Sequence, residues 1–160
     1  LKHQDTILVI GYGNPGRQDD GLGPTLVSRL ADSHIPGVVT ESQYQLCAED
    51  ALRISPFQQV VFVDAAVKMR SDFCFAPLRT GRHKGFGNHS LAPSAVLDLA
   101  SSLYGCNPKG YQLGIRGTRF DQFEEKLSAV GEQNMEKALE FLVPWLKHRV
   151  TSVMRLRSVV

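Results

Sequence analysis

Cysteine is scarce in this sequence and poorly placed for either of its structural uses. Cys47, Cys74 and Cys106 lie far apart, and no Cys-x-x-Cys pair occurs. An odd, scattered set supplies neither a disulfide framework nor a zinc knuckle, so reduced thiols in a cytoplasmic protein are expected. Long apolar runs are missing too. None approaches the roughly 20 residues that cross a bilayer, and "LKHQDTILVIG" passes straight into a strand-like segment, so no signal peptide is expected. There is no His-Glu-x-x-His helix of the zinc-peptidase kind. Charge is nearly balanced: 18 Lys and Arg against 16 Asp and Glu give a formal net charge of +2. That removes the basic excess of a dedicated nucleic-acid binder. What remains is a globular composition in 160 residues, which suits one domain, 1–160, with a single sizeable core.

Apolar runs and helical stripes alternate along the chain. "TILVIG" (6–11) and "QVVFVDAA" (59–66) read as strands buried on both faces, and "GVVTESQYQ" and "GYQLGIRG" as further strands. "DFCFAPLR" is expected as a strand or edge hairpin. Helices are expected over "DDGLGPTLVSRLADS", with Gly23 and Pro24 restricting its start, over "CAEDALRIS", and over "APSAVLDLASSLYG", with Pro93 opening and Gly105 closing. The last helix, 128–150, carries the stripe Met135, Leu139, Leu142 and Leu146, and Pro144 is expected to kink it. Residues 151–160 read as a tail, either a frayed helical extension or a basic segment for a partner or membrane surface. Strands alternating with helices imply an α/β fold: a mostly parallel sheet covered on both faces. Such sheets bind ligands outside the carboxyl ends of the strands, at a switch point. A 2-1-3 strand order would bring the loop after Gly11 and the end of "VVFVDA" to one crevice.

That first loop, "GYGNPGRQDDGLGP", fits Gly-x-Gly-x-x-Gly through Gly11, Gly13 and Gly16. The spacing suggests a dinucleotide loop, and Glu41 could serve as its ribose acid, but the motif alone is a weak signal. Asp19 and Asp20 stand where the helix should begin, and a diphosphate there would meet both. At about 5 Å and an effective dielectric near 20, each like-charge pair costs on the order of 3 kcal/mol. The plain structural reading of an aspartate here is a helix cap, but one cap does not need two carboxylates. Asp19 is expected to cap or orient, with Gly13, Asn14 and Gly21 supporting the loop, and Asp20 to look into the crevice. Asp64 adds a second carboxylate. A charge closing an apolar run is costly to bury unless it is paired or bound to a metal. Of five histidines, His3, His34 and His148 have terminal or polar surroundings. His89, in "GNHSLAPSAVLDL", precedes a helix on the crevice side. Two carboxylates and an imidazole would form a mixed oxygen–nitrogen site with open positions, suited to zinc, nickel or another divalent first-row ion.

"GYGNPGRQDDGLGP", "VFVDA" and "HSLAPSAVLDLASSLYG", in that order, resemble the hydrogenase maturation endopeptidase family over nearly the whole chain, from Ile7 to about Leu146. The resemblance implies a three-layer α/β/α sandwich around a twisted sheet of about five strands. It implies a protease that removes the C-terminal extension of the [NiFe] hydrogenase large-subunit precursor after nickel insertion. Carried over by motif, Asp20, Asp64 and His89 are implied as its metal-binding and catalytic residues. Nickel is implied to arrive with the substrate and to be held transiently, with no permanent organic cofactor. Metal-activated water and carboxylate-assisted attack, the aspartic-type route, both stay open. Many members read Gly-Ile-x-Pro-Glu in the late strand, where this chain reads "GIRGTRFDQFEEKLS". Together with "ESQYQL", this is more similar to the branch serving cytoplasmic, pyridine-nucleotide-linked hydrogenases.

"RTGRHKGFG" is a glycine-rich basic loop, and Arg82, His83 and Lys84 are candidate substrate contacts. Cys47 lacks the surroundings of a nucleophile. Three functions remain: the nickel-dependent endopeptidase, a nickel metallochaperone without proteolysis, and a nucleotide-binding module. The particular hydrogenase and the oligomeric state are not encoded in these motifs.

Overall fold

The computed structural model describes residues 6–80 and 91–157, with side chains as far as 152. Five strands form one sheet: β1 (Ile7–Tyr12), β2 (Val38–Gln43), β3 (Gln59–Ala66), β4 (Phe73–Pro77) and β5 (Lys109–Arg116), in the order β2-β1-β3-β5-β4. All neighbours pair in parallel except β4, which runs antiparallel to β5 along the edge. Among the described residues, four helices cover the sheet: α1 (Leu22–Asp32), α2 (Asp50–Ile54), α3 (Pro93–Tyr104) and α4 (Ala129–Arg157).

The two continuous apolar runs are explained by the layers. Side chains along a strand alternate between faces. Ile7, Val9, Val61 and Val63 pack on one face with residues of α1 and α4. Leu8, Ile10, Val60 and Phe62 pack on the other with α2 and α3. All eight are essentially without solvent contact. Each such side chain stabilises the fold by roughly 1.5–3 kcal/mol relative to exposure, so a polar residue at any of these eight positions would be costly. The sheet is a three-layer α/β/α sandwich with β1 and β3 at its centre. The edge strand β4 is held by aromatic contacts instead: Phe75 stacks on Tyr111 and meets Phe141 and Trp145.

Helix α1 starts later than expected, and α4 takes the helical one of the two readings of the tail. A 3₁₀ turn, Gln18–Gly21, precedes α1, which begins only at Leu22 and contains Gly23 and Pro24 in its first turn. Proline is tolerated there because first-turn N–H groups have no helical partner. Helix α4 runs past Pro144 and on to Arg157, seven residues into the segment read as a tail. Helix α3 begins at Pro93, and Gly105 closes it in a left-handed conformation, φ 64°. Among the described residues, no helix is long and apolar enough to cross a membrane.

Candidate functional site

Strand β1 ends in the glycine motif, and the glycines serve the chain's own backbone. A Cβ on Gly11 would lie 2.2 Å from the Gly23 carbonyl oxygen, and one on Gly23 would lie 2.5 Å from that of Val63. The first turn of α1 therefore presses directly onto the ends of β1 and β3, where a dinucleotide loop would leave room for its diphosphate. Gly13 adopts φ 138°, and a Cβ there would meet the Asp20 carbonyl oxygen at 2.0 Å. No rotamer relieves a clash with backbone. Gly13→Ala is accordingly expected to destabilise the protein by about 2 kcal/mol or more and to displace Asp20, as measured by urea unfolding.

Asp19 and Asp20 divide the work of the doublet. Asp19 is fully buried. Its carboxylate accepts hydrogen bonds from the backbone N–H groups of Thr118, Arg119 and Ser128, at 2.7, 3.0 and 2.7 Å, and from the Ser128 hydroxyl at 2.6 Å. Burial alone would raise its pKa, but these donors outweigh burial and hold it below the ordinary carboxylate value. Gly131 and Gly117 admit the carboxylate, since a Cβ on either would fall within 2.7 Å of Asp19 atoms. Gln18 reinforces the tie. It takes φ 50°, its N–H donates to the Glu124 carbonyl, and its Oε1 accepts from the Gln122 N–H. The first loop is thus fastened to the segment between β5 and α4, with the Asp19 carboxylate engaged in that bracing.

Asp20 and Asp64 line one open cleft of about 570 Å³ at the carboxyl ends of β1 and β3, together with Tyr12, Tyr44, Leu46, Leu91 and Pro93. Asp20 is fixed by the Asn14 N–H, which donates to its Oδ2 at 2.9 Å, while the Asn14 side chain accepts from the Gly16 N–H. Asp64 accepts from the Ala65 N–H at 2.8 Å and from the Tyr12 hydroxyl. Burial, opposed by these bonds and assisted by the charge of Asp20, raises the Asp64 carboxyl to about 6. Tyr12 is pushed strongly upward by burial and by Asp64, so it stays a phenol and a donor. Tyr12 is one of the unspecified positions of the glycine motif, and the spacing assigns it no role. Only the parallel register Gly11↔Val63 sets Tyr12 beside Asp64 on the α2–α3 face.

One wall of the cleft is held from below. Asp50, fully buried at the start of α2, accepts from Gln43 Nε2 and the Cys47 N–H, both at 2.8 Å, and pairs with Arg53. This fixes the turn carrying Tyr44 to Leu46. The Cys47 thiol is raised by burial, by its contact with Glu49 and by the charge of Asp50. Those surroundings hold it as an unreactive thiol.

The structure brings Asp20 and Asp64 together and separates Asp19 from them. His89, Arg82, His83 and Lys84 lie outside the described residues. Among the described residues, no three His, Cys, Asp or Glu side chains gather as a metal cluster. Two carboxylates facing one cleft, with lone pairs left over after their backbone bonds, are hard oxygen donors with open positions beside them. They fit a divalent cation that brings most of its own ligands.

No family model matches the chain. No curated protein matches it either. Solved structures do. The [NiFe] hydrogenase maturation protease HycI from Thermococcus kodakarensis KOD1 is similar with a TM-score of 0.70 and 24% identity, over 90% of this chain and 94% of that one. The hydrogenase maturating endopeptidase HybD from E. coli gives 0.73 and 21%, over 89% and 93%. The endopeptidase HycI from Escherichia coli gives 0.65 and 16%, over 88% and 90%. The five-stranded sheet and its two helical layers are the fold of these proteins.

Proposed function

We propose that this chain is an endopeptidase that trims the C-terminal extension of a [NiFe] hydrogenase large-subunit precursor once nickel is in place. The observation that carries the reading is the convergence of Asp20 and Asp64 on one cleft, within a fold shared with proteins named for that activity. His89 joins them as third ligand on the strength of its motif. Nickel is part of the substrate: the precursor presents it, and the cleft adds carboxylate oxygens to it. Asp20 and Asp64 would then set the scissile peptide beside the ion, and a carboxylate lone pair not engaged by the ion would take a proton from the water that attacks the scissile carbonyl and pass it to the leaving amine nitrogen as the C–N bond breaks. The glycine contacts around Gly11, Gly13 and Gly23 weigh against the nucleotide-binding reading. A metallochaperone without proteolysis differs by one result, the absence of a cleavage product.

The source of the nickel has its own test. The protein is treated with chelator, the chelator is removed, and nickel-loaded or nickel-free precursor is added. Cleavage of the nickel-loaded precursor alone, at the rate of untreated protein, is expected. Failure that is reversed only by remetallating the protease would make it an ordinary metalloprotease with its own ion.

A further inference from the structure

Asp64 has unequal flanks in the sheet. On the β5 side it pairs with Gly114, which offers no side chain. On the β1 side the register places Tyr12, whose ring packs against the α2–α3 core and whose hydroxyl reaches the Asp64 carboxylate. The opposite constraint on that carboxylate is the Ala65 N–H at 2.8 Å. Among the described residues lining the cleft, Tyr12 is the side chain that hydrogen-bonds Asp64.

We propose that Tyr12 is a positioning residue: its hydroxyl and the Ala65 N–H together orient the Asp64 carboxylate so that its remaining lone pairs face the cleft shared with Asp20. The inference rests on the reading of Asp20 and Asp64 as the groups that meet the substrate's nickel. A ligating carboxylate must present a lone pair in one direction, and a fixed donor on its far side removes the rotamers that point elsewhere. Loss of such an outer partner typically lowers metal affinity or activity about 10–100-fold. The same ring also fills space beneath the cleft, so packing and orientation must be separated. Phenylalanine does this, because it keeps the ring and removes only the donor.

The experiment measures kcat and KM for nickel-loaded precursor with wild type, Tyr12→Phe and Asp64→Asn, each checked by urea unfolding and assayed where all are fully folded. Tyr12→Phe is expected to lower kcat/KM about 10–100-fold, mostly through a higher KM, since the affected group meets the ion the precursor brings. Asp64→Asn is expected to fall further. Wild-type kcat/KM in Tyr12→Phe beside an inactive Asp64→Asn would overturn the role of Tyr12 and leave the site reading standing. A loss confined to kcat in fully folded Tyr12→Phe, with KM unchanged, would place its effect away from the meeting of Asp64 with the ion and overturn it equally. Wild-type activity in Asp64→Asn would bring down the site reading, and the role of Tyr12 with it.

Discussion

Asp20→Asn and Asp64→Asn should each cut precursor processing by more than about 100-fold while the protein stays folded. Outer partners of metal ligands already account for about 10–100-fold, and these two carboxylates are proposed to meet the ion directly. Both are half-buried at the mouth of a cleft. Neither supports the core. Asp64→Asn should in fact stabilise the free protein. Its folded pKa, about 6, lies above the ordinary carboxylate value of 3.8. The ionised form is therefore the one the fold disfavours. The penalty is absent below pH 3.8, grows between 3.8 and about 6, and is complete above that. With allowance for solvent screening, asparagine should gain about 1–2 kcal/mol at pH 7. Urea titrations at pH 4 and pH 7 check this: the two proteins should be similar at pH 4 and separate at pH 7. Near-normal processing by both variants would refute the site.

Asp19 should behave in the opposite way. Asp19→Asn is expected to destabilise the protein by about 3–5 kcal/mol, a large part of the stability of a domain this size. The Asp19 carboxylate takes four donors from a segment about a hundred residues away. An amide has one accepting oxygen, so however it is turned its NH₂ faces a backbone N–H. Unsatisfied buried donors cost about 1–3 kcal/mol each. The pH dependence has the reverse sign from that of Asp64. The folded pKa of Asp19 is depressed, so its contribution is present above the unfolded value near 3.9. It is lost as pH falls from there through the folded value. Wild type should therefore lose stability in that acid window more steeply than Asp19→Asn. Any loss of processing in this variant should be recovered at low temperature, where it is folded.

The layers and the placement of Asp64 were legible because they depend on local pattern. "ILVI" and "VVFV" are short, β-branched apolar runs that read as strands buried on both faces, and a carboxylate that closes such a run sits at its carboxyl end. The division between Asp19 and Asp20 was legible from adjacency, since two side chains in one turn cannot share a direction. The purpose of the glycines was not. Gly13 is shaped by the carbonyl of Asp20 and Gly11 by that of Gly23, contacts that a spacing pattern does not contain. The partners of Asp19 lie beyond β5, in the variant segment "GTRFDQFEEKLS", so only the folded chain shows that this segment braces the first loop. The bond from Tyr12 to Asp64 depends on strand register. The start of α1 moved to Leu22 because Gly23 and Pro24 fit a first turn as well as they fit a loop.

The most direct measurement is the intact mass of a nickel-loaded large-subunit precursor before and after incubation with the purified protein. The proposed function predicts a single loss equal to a short C-terminal segment, with no loss from nickel-free precursor and none with Asp20→Asn or Asp64→Asn. An unchanged precursor mass with folded wild-type protein, or the same cleavage by both variants, would contradict it.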